Sequence, residues 1–168
     1  MAKFGDFCKI ASSYADVADF VTVYIEEAHP VESFALRNNL KINAHNEIDD
    51  RIEAAKHLLT KRPPFPIVCD VMDDTAKYDY GCVNERLYVI LRCEIAYEGG
   101  QGPMYYSLVE VQQWLDNYLQ LSQKIDRPMS SDDVIDIERK QLLEDLRRHE
   151  GNASKRSFFE IINLFIRA

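Results

Sequence analysis

Apolar positions recur at helical spacing from the start of the chain. Phe4, Phe7, Cys8, Ala11 and Ala15 share one face, which predicts a first helix ending near Asp16 or Asp19. Phe20-Val-Thr-Val-Tyr-Ile25 follows as an almost unbroken β-favouring run. Being apolar on both faces, it suits a buried parallel strand better than an exposed edge. A polar loop covers residues 26–43 and contains His29-Pro30. Ile48, Ile52, Ala55 and Leu59 then mark a second amphipathic helix, with Asn46 as its predicted N-cap and Pro63-Pro64 as its stop.

Pro66-Ile-Val-Cys-Asp-Val71 reads as a short buried strand, and the acidic stretch Asp70–Asp79 as a loop or single helical turn. Arg86-Leu-Tyr-Val-Ile-Leu91 and Ile95-Ala-Tyr-Glu98 are close enough to form a hairpin, broken by Gly99-Gly100-Gln101-Gly102-Pro103. Ser107 and Glu110 have capping-box spacing ahead of a helix striped by Leu108, Val111, Leu115 and Tyr118. Helices and strands alternate and then close on a hairpin and a helix. That order predicts an α/β, thioredoxin-like three-layer sandwich over residues 1–122.

Residues 123–168 read differently. Asp126-Arg-Pro-Met-Ser-Ser131 resembles a linker. A charged helix follows, with Asp132 and Asp133 at its start and Arg147, Arg148 and His149 at its end, matching the helix dipole. Ser157 and Glu160 would cap a last apolar segment, Phe158 to Ile166, so the whole is expected to be a helical C-terminal extension. Docking on the domain, pairing with a partner and lying on a lipid surface are all open to that segment.

Composition changes this picture only slightly. With 168 residues, 46% of them hydrophobic and 29% charged, the chain can bury a core without a disulfide or metal staple. The net charge of −8 makes nucleic acid a poor partner. Residues 1–122 hold 11 basic and 19 acidic side chains, whereas residues 123–168 hold 9 of each. No apolar run reaches the roughly 20 residues that span a bilayer. As written, the chain reads as soluble and cytoplasmic. Cys8, Cys69, Cys82 and Cys93 include no C-x-x-C pair, which argues against a zinc site and for buried free thiols. No bound cofactor or metal is expected.

Several blocks, taken together and in order, carry a resemblance. Val23-Tyr-Ile-Glu-Glu-Ala-His-Pro30 is similar to the signature segment of the iodothyronine deiodinase family. Met1-Ala-Lys-Phe-Gly-Asp-Phe7 resembles that family's first core helix, and Asn43-Ala-His-Asn-Glu-Ile-Asp-Asp-Arg51 its second histidine segment. Glu85-Arg-Leu-Tyr-Val-Ile90 and Tyr97-Glu-Gly-Gly-Gln-Gly-Pro103 resemble its closing hairpin and glycine turn.

The family consists of thioredoxin-fold selenoenzymes, usually homodimers anchored in the endoplasmic reticulum or plasma membrane. They remove iodine reductively from thyroid hormones. A selenolate takes up the iodine, a nearby acid protonates the ring carbon, and a thiol reductant, the co-substrate, regenerates the enzyme. The resemblance implies that His29, His45, Glu27 and Tyr24 belong to the catalytic proton network. It implies likewise that His29, Glu85 and Gln101 face the substrate.

The sequence also departs from the family. It contains no selenocysteine, and Cys8 falls within the first helix rather than before it. The resemblance places the nucleophile's loop, and the central strand leading into it, ahead of Met1. The expectation is a domain truncated before the selenocysteine, lacking one central strand between the counterparts of Phe20–Ile25 and Arg86–Leu91. An in-frame UGA upstream in the genomic DNA would account for it. Gln101 stands where some members have arginine, Phe65 where some have cysteine, and Phe34 where tryptophan is usual. Asn84 stands where thioredoxin-type folds often place a cis-proline. The alternative reading is a non-catalytic thioredoxin-like interaction domain with the helical tail as its binding element. A peroxiredoxin- or glutathione-peroxidase-like enzyme would need a cysteine before the first helix.

Overall fold

The computed structural model describes residues 2–33, 40–125 and 159–165. The expected linker and charged helix over 126–149, and Phe34, lie outside the described residues. One compact unit comprises residues 1–112 with 158–168, and residues 113–157 form a second.

The first helix, α1, spans Ala2–Ser13. It buries Phe4, Phe7 and Ala11, while Cys8 is only half-buried. Ala15 lies past its end and is exposed; Tyr14 and Ala18 are buried in its place. β1 is Asp19–Tyr24. Its core-facing Phe20 meets Phe7 edge-on at 5.8 Å, and Phe65 contacts Phe4 and Phe7 the same way at 6.0 and 5.1 Å. These aromatics fill the space between α1 and one face of the sheet.

α2 runs Ile48–Leu59, capped by Glu47 and not by Asn46. Asp50 accepts the backbone N–H groups of Asn46 and Glu47, which closes a capping box that the sequence pattern did not suggest. The buried stripe of α2 is Arg51, Ala54, Ala55 and Leu58. Of the expected stripe only Ala55 is buried; Ile48, Ile52 and Leu59 are exposed. The helix is therefore turned by about one residue from the apolar pattern. Arg51 supplies the reason. Its guanidinium donates to the carbonyls of Asp70 (3.2 Å) and Val71 (2.7 Å) and pairs with Asp74 at 2.8 Å. A buried cation held by two carbonyls and a carboxylate fixes which face points inward.

β2 is Ile67–Cys69 and α3 a short helix, Thr75–Asp79. Buried Asp70 ties the two together, its carboxylate accepting the backbone N–H groups of Val71, Ala76 and Lys77, each at 2.9 Å. β3 (Arg86–Leu91) and β4 (Glu94–Glu98) form the expected antiparallel hairpin. Its two turn residues, Arg92 and Cys93, both have positive φ (56° and 65°), as a two-residue hairpin turn requires. α4 spans Leu108–Ile125. Only half of its predicted capping box forms: Ser107 Oγ accepts the Glu110 N–H, while the Glu110 carboxylate accepts the Tyr97 hydroxyl at 3.0 Å.

The largest correction concerns the tail. Phe159–Phe165 is not helical; it is a strand, β5. The five-stranded sheet has the order β2-β1-β5-β3-β4, so β5 is its middle strand. β5 runs parallel to β1, Asp19 to Tyr24 lying opposite Glu160 to Phe165, and antiparallel to β3. The gap expected between β1 and β3 is thus filled from the other end of the chain. β1, parallel to both neighbours, is the buried parallel strand that its apolar run predicts. A second cluster, built on Ile25, Cys82 and Tyr88, gathers Val21, Val23 and Ile90 around it.

Candidate functional site

Strand directions bring the predicted residues to one end of the sheet. β1 ends there at Tyr24, level with Phe165 at the end of β5. β3 starts there, Arg86 being level with Leu164, so Glu85 stands at the same end. β4 returns to it, with Glu98 opposite Tyr88, and Gln101 follows. Segments leaving the C-terminal ends of parallel strands are where α/β proteins gather their sites.

On the β1 flank, Tyr24 is fully buried and its hydroxyl donates to Glu27 Oε2 at 2.8 Å. Glu27 is 5% exposed, and its other oxygen accepts the His29 backbone N–H at 3.4 Å. Glu26 is exposed and pairs with Lys77 instead. The turn after β1 therefore sends one carboxylate inward, into contact with a phenol, and the next outward to a lysine. His29 is half-buried beside this pair.

His45 reaches the same place from the segment before α2, its ring centroid 5.9 Å from that of Tyr24. Both its ring nitrogens are buried without a hydrogen-bond partner among the described residues. Burial, reinforced by the Arg51 cation, pushes its titration below the ordinary 6.5, so the imidazole is held neutral. Proximity to a helix N-terminus predicts the same direction, but burial is the larger cause. A neutral imidazole, a buried carboxylate and a phenol in one cluster can hold and pass a proton.

The flank formed by β3 and β4 is occupied differently. Gln101 Nε2 donates to the Gly81 carbonyl at 2.9 Å, and Asn84 Nδ2 to the Gly102 carbonyl at 3.1 Å. Arg86 pairs with Glu98 rather than with Glu85, and its Nε donates to the Gly99 carbonyl at 2.7 Å. The Glu85 side chain packs on Gly102, where a Cβ would come within 2.4 Å of its carboxyl carbon. That contact explains why glycine stands there.

No cysteine is placed to act as the nucleophile. Burial pushes the Cys8 and Cys69 thiols up, and Cys82 up to about 12, while Cys93 lies exposed in the hairpin turn at the far end of β3. Among the described residues no cluster of His, Cys, Asp or Glu could hold a metal ion. Arg51, Asp70 and Asp74, which set the path of the segment after β2, were not anticipated. An arginine three and four residues before Ala54 and Ala55 was the available signal.

A family model described as iodothyronine deiodinase matches residues 1–119. The chain belongs to the iodothyronine deiodinase family. It is 42% identical to a type II iodothyronine deiodinase of Petromyzon marinus over 118 residues, 68% of this chain and 41% of that relative. A type I iodothyronine deiodinase of Xenopus laevis is 38% identical over 109 residues, 65% of this chain and 43% of the relative. A thyroxine 5-deiodinase of Gallus gallus is 39% identical over 119 residues, 70% of this chain and 46% of the relative. The deiodinase-family chain thus spans less than half the length of these curated relatives. Among its described residues no helix is long and apolar enough to cross a membrane.

Proposed function

We propose that this chain carries the proton-handling half of a deiodinase-type site, for an oxidoreductase that removes iodine from iodothyronines. The observation that carries the reading is the buried Tyr24–Glu27 contact with the neutral His45 ring against it, beside His29. In the overall reaction an aryl C–I bond breaks and an aryl C–H bond forms. The selenolate leaves with iodine, the ring carbon keeps the bonding pair and takes a proton, and two thiols then release iodide and become a disulfide.

In this reading Glu27 and His45 hold and deliver that proton, and Tyr24 fixes the carboxylate. His29 faces the substrate phenol. Glu85 and Gln101 lie at its other side, where packing on Gly102 and a bond to the Gly81 carbonyl limit them to shaping the wall. The sheet supports a thioredoxin-like reading: β5 lies in the place, and runs in the direction, expected of the strand before the nucleophile. Thiol reductant is the co-substrate, and a homodimeric, membrane-anchored parent protein is part of the proposal. The 168 residues contain no selenocysteine. The chain alone is accordingly expected to release no iodide.

The test supplies the missing group. A relative's strand and nucleophile loop, with cysteine as nucleophile, is joined ahead of Met1 in a chain ending at Ile125, so that the added strand takes the place of β5, and the protein is assayed with thyroxine and dithiothreitol. Thiol-dependent iodide release is expected, falling at least about tenfold on Glu27→Gln. A folded fusion that releases none, or that is indifferent to Glu27→Gln, would overturn the reading. Phe159–Phe165 lies within the sheet, so this segment is not the free binding element that an interaction domain would require.

A further inference from the structure

A cavity of about 360 Å³ lies between the segment Lys41–His45 and α2. α2 turns Asp50, Glu53, Ala54 and His57 toward it, an i, i+3, i+4, i+7 stripe beside the one that packs on the core, with Lys56 at its edge. Its volume falls within the range of small-molecule sites, and of its lining residues only His45 takes part in the proton handling above.

The charges lining it are unequally engaged. Asp50 already accepts two backbone N–H groups at 2.9 and 3.3 Å, and Glu53 pairs with Lys56. The ion pairs among the described residues involve neither Lys41 nor His57. Two basic groups therefore remain available above buried Ile42 and Ala54. His45 forms part of the wall and, through its contact with Tyr24, joins the cavity to the candidate active site.

We propose that this cavity binds a small organic anion, an aryl carboxylate. Lys41 and His57 take the carboxylate, and the ring lies on Ile42 and Ala54. A cation and an imidazole are the groups that reward a carboxylate with charge-assisted hydrogen bonds, and the apolar floor favours an aryl body over a hydrated inorganic ion.

The probe is 4-hydroxyphenylacetate, titrated into the full chain while the imidazole resonances of His57 and His45 are followed by NMR. Saturable shifts of both rings are expected. The neutral 4-hydroxyphenylacetamide, and the Lys41→Met and His57→Gln variants, are each expected to bind about tenfold more weakly. Lys41 and His57 are exposed, so neither substitution threatens the fold. Shifts that fail to saturate, or equal binding of acid and amide, would refute the proposal. So would variants that bind unaltered. Iodide release is not part of the readout, so failure of the deiodination assay and failure of this site are separable.

Discussion

The two flanks of the candidate site carry different polar residues and put them to opposite ends. On the β1 flank, Glu27 is sunk into the protein and meets a phenol, and His45 brings an imidazole with unpartnered nitrogens. On the flank of β3 and β4, Gln101, Asn84 and Arg86 each bond a backbone carbonyl of the turns around Gly81 and Gly99–Gly102. The first arrangement leaves protons to move. The second leaves donors satisfied by carbonyls, which neither titrate nor let go. Type alone does not decide even so: Glu26 and Glu27 are neighbours of one type, and what each side chain touches separates them.

β5 joins the two flanks, and breaking it should have the largest effect. Ile162→Pro removes a ladder hydrogen bond from the middle of the sheet, where proline is essentially not found, and is expected to cost more stability than any other substitution named here. Ala96→Pro, at the bulge on edge strand β4, should cost far less. Urea unfolding of both variants measures the contrast. Similar losses would show that β5 is not the element holding the halves together.

Tyr24→Phe probes the first flank. It removes the hydroxyl that Glu27 accepts and should lower stability by about 1–3 kcal/mol, because a buried carboxylate loses a donor. Gln101→Ala on the second flank removes one bond at the rim, and a loss of about 0.5–1.5 kcal/mol is expected. If the order were reversed, the comparison between flanks would fail.

The smallest effect is a pH slope. The folded protein holds His45 below its ordinary 6.5, so below that pH the unfolded chain binds a proton that the folded one refuses. Stability should then fall as pH drops from 7 toward 5. His45→Gln should show a flatter profile over the same window in thermal melts. An identical slope in the variant would assign the pH dependence to other groups.

Much of the fold was legible because its elements are local. β3 falls at Arg86–Leu91 as its β-favouring run predicts, and the parallel character of β1 follows from its two apolar faces. The histidine segments could be found because their spacing matches a family pattern. The face of α2 could not be read the same way. A period test ranks Ile48 and Ile52 above Arg51, since it cannot see that two carbonyls and Asp74 await the guanidinium. Nor does the apolar character of Phe159–Phe165 say that it forms a strand or which partners it will pair with.

The sequence by itself determined the order of α1, β1, α2, β2, β3, β4 and α4, the family, and the identity of the polar residues near the site. Those depend on neighbours along the chain, or on a pattern shared with relatives. Only the tertiary structure decided that the last strand lies in the middle of the sheet and that α2 buries an arginine. It alone gave the physical ground for the preference for Glu27 over Glu26, the first turned inward and the second outward. Each of these rests on a hydrogen bond or ion pair between segments far apart in the chain, and no local periodicity encodes such a partner.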